Sequence, residues 1–100
     1  MIHVKFFSFV ILLSCFTFFS NTAMGSPSQV SSCVACHGSN GISPAPMWPN
    51  LASQKQMYLE KQLNDFKTGV RKDPIMGPIA QGLSSEDIKI VSKFYSQLKN

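Results

Sequence analysis

Five consecutive residues near the middle of the chain carry the side chains best suited to chemistry. Residues 33–37 are Cys-Val-Ala-Cys-His, so two thiols stand three positions apart and an imidazole follows directly. This spacing is the C-x-x-C-H signature of c-type haem attachment. On one helical turn, both thiols can add to the vinyl groups of one porphyrin while the imidazole faces the iron. The motif therefore predicts one covalent haem c on Cys33 and Cys36, with His37 as an axial iron ligand.

Other chemistries also use closely spaced cysteines. A structural zinc site needs four protein ligands, whereas the chain after residue 25 offers only Cys33, Cys36 and His37. A thioredoxin-like redox pair needs a strand–helix–strand setting, and the sequence after the motif has no strand pattern. A disulfide between Cys33 and Cys36 would close a very small loop and stabilise little. Haem attachment is the favoured interpretation.

A second axial ligand is expected among the methionines. Methionine opposite histidine gives a six-coordinate iron with a raised reduction potential. Met57 falls in a predicted helix, and Met47 follows His37 by only ten residues in a proline-rich loop. Met76 lies in the segment 72–78, which we expect to be irregular and stiffened by two prolines. We predict that Met76 binds the iron, the alternative being a gap-filling core residue.

Helices must position these ligands, because the sequence shows no alternation of apolar and polar residues that would predict a strand. A short first helix is predicted from about Ser28 into Cys36. A loop rich in Gly, Ser, Asn and Pro follows over 38–49. Within this loop, the Trp48 indole could donate to a haem propionate, or its ring could simply pack against the haem. The sequence predicts a second helix over 51–68, with Gly69 as its stop.

The last predicted helix begins after Ser84, which is a typical N-cap residue. Glu86 and Asp87 in its first turn complement the helix dipole. An apolar stripe then continues to Leu98. Together the elements predict an all-α domain of about three to four helices wrapped around one covalent haem.

The first 25 residues have the order of a secretory signal peptide. A short segment ending at Lys5 precedes the apolar run 6–19, and the small residues Ala23 and Gly25 precede Ser26. The run is shorter than the ~20 residues that span a bilayer comfortably. We expect Sec-type export to the periplasm, cleavage of residues 1–25 and no lasting membrane association. An uncleaved anchor is the alternative.

The charge of the chain is mildly basic. Its formal net charge is +4, and without Lys5 eight basic side chains face five acidic ones. Such an excess favours redox partner proteins with acidic docking surfaces. It lacks the dense basic stripe of a nucleic-acid binder, so nucleic acid is excluded as a partner. Lys67, Arg71 and Lys72 form a candidate docking face, or else an ordinary solvated one.

Beyond the haem motif, the chain resembles the short class I cytochromes c of bacteria, single-haem relatives of the tandem two-haem respiratory cytochromes c. The resemblance covers nearly all of 32–98. The matching segments are 33–38, 41–46, 49–52, 58–63, 66–69, Met76 and 83–88. Their order and spacing are more specific than the haem motif alone.

The resemblance implies a class I cytochrome c fold over 26–100. It implies that Cys33 and Cys36 hold the haem, that His37 and Met76 are axial ligands, and that the Pro49 carbonyl accepts a hydrogen bond from the His37 ring. It also implies that the last helix crosses the first near Phe94 and Tyr95. Only seven residues separate the expected cleavage site from Cys33, so the first helix should be short.

The function predicted from these features is periplasmic electron transfer by a haem that cycles between ferrous and ferric states. No acid–base pair or adjacent nucleophile and base is available after residue 25, so we do not expect an enzyme. One alternative is a permanent haem subunit of a larger oxidoreductase. Another is a haem enzyme or gas sensor, which would require an open iron position.

Overall fold

Four helices make up the part of the chain that the computed structural model describes, residues 26–100; the predicted leader lies outside it. The helices are α1 (Ser31–His37), α2 (Gln56–Thr68), α3 (Met76–Gln81) and α4 (Ser85–Gln97), and a 3₁₀ turn over Ser28–Val30 leads into α1. This range contains no strand, and the predicted all-α class is confirmed. None of its helices is both long and apolar enough to cross a membrane.

The short first helix still meets the last one. Val30 of the 3₁₀ turn and Cys33 of α1 share a buried cluster with Leu59 of α2 and with Val91 and Tyr95 of α4. Burying a side chain such as Val30 contributes about 1.5–3 kcal/mol. The expected crossing near Tyr95 is therefore present, because the 3₁₀ turn supplies the apolar contact that a longer helix would otherwise make.

The start of α2 differs from the prediction. The helix begins at Gln56 rather than at position 51. The N–H groups of Leu51 and Ala52 donate to the Gly41 carbonyl oxygen at 2.8 and 3.0 Å. Ser53 has a φ of 65°, which no α-helix accommodates. The predicted stop is confirmed, because Gly69 ends the helix with a left-handed φ of 81°.

The segment predicted as irregular over 72–78 is only partly so. Its second half is the first turn of α3, which begins at Met76. Pro78 lies in that turn, where its missing N–H breaks no helical hydrogen bond. The N-cap predicted for α4 is confirmed: Ser84 Oγ accepts from the Asp87 N–H, and the Asp87 carboxylate accepts from the Ser84 N–H.

Candidate functional site

A largely apolar cavity of about 350 Å³ lies at the centre of the domain and is lined by residues of all four helices. Cys33, Cys36 and His37 line it from α1, and Met76 lines it from the start of α3. Most of its wall is aliphatic or aromatic: Leu51, Leu59, Leu63, Phe66, Ile79 and Val91. The fold thus brings the predicted haem-attachment residues and the favoured methionine to one apolar space.

His37 ends α1 and is 7% exposed. Its Nδ1 lies 2.8 Å from the carbonyl oxygen of Pro49 in the loop that follows. A carbonyl can only accept, so Nδ1 donates and carries the ring proton. In the neutral ring, the other nitrogen, Nε2, then keeps its lone pair for a metal. A hydrogen bond of this kind also fixes the orientation of a ligating imidazole.

The two cysteines are free thiols and do not form a disulfide. Because they are three positions apart on α1, both side chains reach the same face of the helix and line the cavity. Burial raises the pKa of the Cys33 thiol, whereas Cys36 is only half-buried. An apolar wall behind two unpaired thiols is a suitable environment for a covalently attached hydrophobic group.

Met76 is half-buried and is held by its own backbone. The N–H groups of Met76 and Ile75 donate to Asp73 Oδ1 at 2.8 and 2.9 Å. The hydrogen bond from Met76 lowers the pKa of the Asp73 carboxyl most, and the bond from Ile75 lowers it further. Asp73 was not predicted from the sequence as a residue of the site. An Asp two and three residues before N–H groups that need an acceptor is a recognisable turn signal.

The other two methionines occupy different places. Met57 is 83% exposed and does not line the cavity. Met47 is 77% exposed but does line it, from the loop that also carries Trp48 and Pro49. Trp48 is half-buried on the same wall. Burial distinguishes Met76 from Met47, since both residues face the cavity and only Met76 is partly enclosed.

Two of the three predicted docking cations make contacts within the domain. The Arg71 guanidinium lies 4.5 Å from the centre of the Phe66 ring and donates to Gln62 Oε1 at 2.7 Å. Lys67 donates to the Leu83 carbonyl and so ties α2 to the segment before α4. Lys72 is exposed beside them. The group is thus partly structural.

Comparison with known proteins decides which family this site belongs to. The family model for cytochrome c matches residues 24–99, nearly all of the described chain. The chain belongs to the cytochrome c family. It is 44% identical over 71 residues to cytochrome c-554(548) of Halomonas halodenitrificans, a match that covers 68% of this chain and 86% of the relative. The resemblance to bacterial class I cytochromes c is thereby confirmed.

Two longer relatives also match this cytochrome c chain. The thiosulfate dehydrogenase electron acceptor of Thiomonas intermedia is 38% identical over 74 residues, which are 73% of this chain and 34% of the relative. The solved structure of Acidithiobacillus ferrooxidans cytochrome c4 superposes with a TM-score of 0.64 at 36% identity, covering 67% of this chain and 38% of that one. The chain thus spans roughly a third of the length of these proteins.

Cytochromes c bind haem c covalently, and the chain has one C-x-x-C-H motif for it. The cavity fits such a group. It offers two free thiols, an imidazole, a half-buried thioether and largely apolar walls. The buried Ser92 hydroxyl also lines the cavity, and within residues 26–100 it has no hydrogen-bond partner. A bound group would therefore find an unpartnered hydroxyl in a largely apolar wall.

Proposed function

We propose that the chain is a periplasmic electron-transfer protein with His37 and Met76 as the axial ligands of one haem c. The observation that carries the proposal is their placement: His37, fixed by the Pro49 carbonyl, and Met76, fixed through Asp73, line one apolar cavity beside Cys33 and Cys36. Haem c supplies one-electron exchange between ferrous and ferric iron when it is bound.

The chain's own residues would serve this role by fixing the two iron ligands and by excluding water. The aliphatic and aromatic wall keeps solvent from the inner side of the cavity. For a bound haem, this would favour the ferrous form, which carries less charge than the ferric form. With His37 and Met76 both bound to it, the iron would have no position free for a substrate. A carrier of this kind breaks no substrate bond and needs no acid–base machinery.

The proposed function includes export to the periplasm and docking to redox partner proteins. Cleavage of the leader over 1–25 would release residues 26–100 as a cytochrome c domain in the periplasm. Redox partners with acidic docking surfaces would meet a domain of mild positive charge. The relative from Thiomonas intermedia is named as an electron acceptor for thiosulfate dehydrogenase. This supports partnership with a dehydrogenase as donor.

The proposal is tested by expressing the full chain, with its own leader, in a host that attaches c-type haem. We expect a periplasmic product with the mass of residues 26–100 plus one haem. A reductive titration should take up one electron per chain and reverse fully on reoxidation. Cys36→Ala is the control for attachment, because it removes one of the two covalent links.

Two results would contradict the proposal. A product without covalent haem would remove its basis. A haem protein that consumes peroxide at a rate well above free haem, or binds small ligands as readily as an open haem site, would indicate catalysis or sensing instead.

A second candidate function is a permanent haem subunit of a larger oxidoreductase. The observation that favours it is the pair of exposed apolar side chains at the start of α2, Met57 at 83% and Tyr58 at 50% exposure. Gentle extraction from the native host followed by size-exclusion chromatography separates the two. Elution as a monomer supports the free carrier, and co-elution of haem with a larger protein supports the subunit.

A further inference from the structure

Two polar side chains tie the loop after the haem motif to the end of α1. Asn50 Oδ1 accepts the main-chain N–H of Ser43 at 2.7 Å. Ser43 Oγ lies 3.0 Å from the Cys36 carbonyl oxygen and 2.8 Å from the Ala45 carbonyl oxygen, and its one proton is shared between these two acceptors. We call this pair, Ser43 and Asn50, the loop clasp. One contact joins Asn50 to Ser43 within the loop, and the other joins Ser43 to Cys36 at the end of α1.

The two contacts of the clasp involve the residue before His37 and the residue after Pro49, whose carbonyl contacts the His37 ring. The Cys36 carbonyl lies in the last turn of α1, where helix carbonyls lack intrahelical partners. The Ser43 hydroxyl lies within hydrogen-bond distance of this carbonyl, which is directly next to His37 in the chain. Asn50 is the neighbour of Pro49, whose carbonyl accepts from His37 Nδ1 at 2.8 Å. The helix end that carries the imidazole and the carbonyl that orients it are therefore joined through one pair of side chains.

The loop would keep its path without the clasp. The Gly41 carbonyl accepts from the N–H groups of Leu51 and Ala52 at 2.8 and 3.0 Å, and these main-chain bonds close the loop independently. Gly41 has a φ of 75°, and a Cβ there would lie 2.7 Å from the Ala52 nitrogen. Main-chain bonds thus set the fold of the loop, which leaves the clasp free to set its finer position.

We propose that Asn50 and Ser43 are positioning residues that hold the Pro49 carbonyl against His37 and so fix the plane of its imidazole. This inference rests on the proposed role of His37 as an iron ligand. Loss of the Asn50 acceptor lets the Pro49 carbonyl move away from Nδ1. The His37 ring then turns more freely, and its Nδ1 proton exchanges more readily with water.

The test uses the full chain expressed with attached haem and measured in the oxidised state. Proton NMR identifies the His37 ring by its iron-shifted resonances, and the exchange rate of the Nδ1 proton with solvent is then measured. Asn50→Ala should accelerate this exchange about fivefold, the factor for one lost neutral hydrogen bond of ~1 kcal/mol. Asn50→Asp keeps the Oδ1 acceptor and should return the rate close to that of the wild type.

A matched control lies in the same loop. Asn40 Oδ1 accepts the Ile42 N–H at 3.1 Å, a bond of the same kind that does not involve Pro49. Asn40→Ala should leave the exchange of the Nδ1 proton unchanged. If Asn50→Ala yields no folded protein, Ser43→Ala compared with Ser43→Thr tests the other half of the clasp, the contact of the hydroxyl with the Cys36 carbonyl, because only threonine keeps the hydroxyl.

The possible results distinguish failure of the clasp from failure of His37 as an iron ligand. A wild-type protein without iron-shifted His37 resonances would overturn the ligand assignment and the clasp together. Iron-shifted resonances combined with equal exchange in Asn50→Ala and Asn40→Ala would overturn the clasp alone. Faster exchange in Asn50→Ala, reversed by Asn50→Asp, supports both.

Discussion

Each proposed iron ligand makes a hydrogen bond that pairs a main-chain group with a side chain. The His37 ring donates to the Pro49 carbonyl, and the Met76 N–H donates to the Asp73 carboxylate. Neither hydrogen bond is part of an ion pair. Salt should therefore not weaken these bonds as it weakens an exposed pair of opposite charges. A substitution that removes the Asp73 carboxylate should therefore affect ligation at any ionic strength.

Asp73 provides the first prediction at this scale. Asp73→Ala removes the acceptor of two N–H bonds and should loosen the turn that starts with Met76. External imidazole should then displace the methionine more easily, with its apparent affinity for the oxidised haem raised about fivefold or more. Absorption titration with imidazole measures this. Asp73→Asn keeps Oδ1 and is the control; equal affinity in all three proteins would contradict the prediction.

Tyr95 provides a prediction about alkaline pH. Burial raises the pKa of its phenol to about 12 from an ordinary value near 10. The folded state thus holds the proton more tightly than the unfolded state. The resulting stability is complete below about pH 10 and is lost as the pH rises through about 12. The wild type should therefore lose, between these values, stability that Tyr95→Phe does not lose.

Denaturant unfolding of the haem-loaded wild type and of Tyr95→Phe, compared from about pH 9 to 12, checks this. The difference between their free energies of unfolding should change across the range. The loss of the 3.4 Å contact from the Tyr95 hydroxyl to the Gly38 carbonyl adds only a small constant term. A difference that stays the same at every pH would contradict the prediction.

At the scale of the elements, local chemistry was sufficient where a helix end is decided by its own residues. Ser84 caps α4 and Gly69 ends α2, both as the sequence predicted. The start of α2 could not be predicted, because it depends on the carbonyl of Gly41 capturing two distant N–H groups. Such a contact has no local signal.

Helix α3 was missed for a different reason. Its six residues include Gly77 and Pro78, which lower helix propensity and suggested an irregular segment. The helix forms because Asp73 satisfies the N–H groups at its start and Ala80 is fully buried. Tertiary burial therefore overrides propensity in this short element.

Removing the α4 cap should destabilise the whole domain, because this helix contributes much of the buried core. Ser84→Ala should lower the free energy of unfolding by about 0.5–2 kcal/mol. The exposed neighbour Ser85→Ala serves as the control and should have little effect. Thermal or denaturant unfolding followed by circular dichroism measures both; equal stability of the two variants would contradict the capping argument.

The same cap has a pH dependence of known sign. Hydrogen bonds from Ser84 lower the pKa of the Asp87 carboxyl. A lowered pKa means that this stabilisation is complete above the ordinary value near 3.8 and is lost as the pH falls through the lowered one. Asp87→Asn should therefore unfold with a weaker pH dependence than the wild type in acid, as equilibrium unfolding between about pH 2 and 5 would show.

At the scale of the whole molecule, the cavity is what joins the elements. The haem motif, the loop, α2, α3 and α4 all contribute to its wall, so the prediction of the site from sequence depended on the fold being right. The motif residues and Met76 could be selected from type and spacing. Asn50 and Ser43 could not, because their roles depend on which main-chain groups they meet, whereas Asp73 carries a local turn signal.

Charge on the surface also acts at this scale. Because Lys67 and Arg71 make contacts within the domain, Lys72 is the residue of the predicted docking group best placed to test it. Lys72→Glu should slow electron transfer to an acidic partner several-fold at low salt, and the effect should shrink as salt is added. Stopped-flow kinetics measures this.

The matched control for that measurement is Lys93→Glu. Lys93→Glu makes the same change in net charge at an exposed position on α4, outside the predicted docking group. A slower rate in both variants to the same degree would indicate a general charge effect and would contradict a docking role for Lys72.

The absorption spectrum of the haem-loaded protein, recorded oxidised and reduced, tests the central claim most directly. Binding by His37 and Met76 predicts low-spin spectra in both states and, when oxidised, a weak sulfur-to-iron band at the red end. Met76→Leu should abolish that band, and Met47→Leu, at the other thioether of the cavity, should retain it. High-spin wild-type spectra, or loss of the band in Met47→Leu rather than in Met76→Leu, would contradict the account.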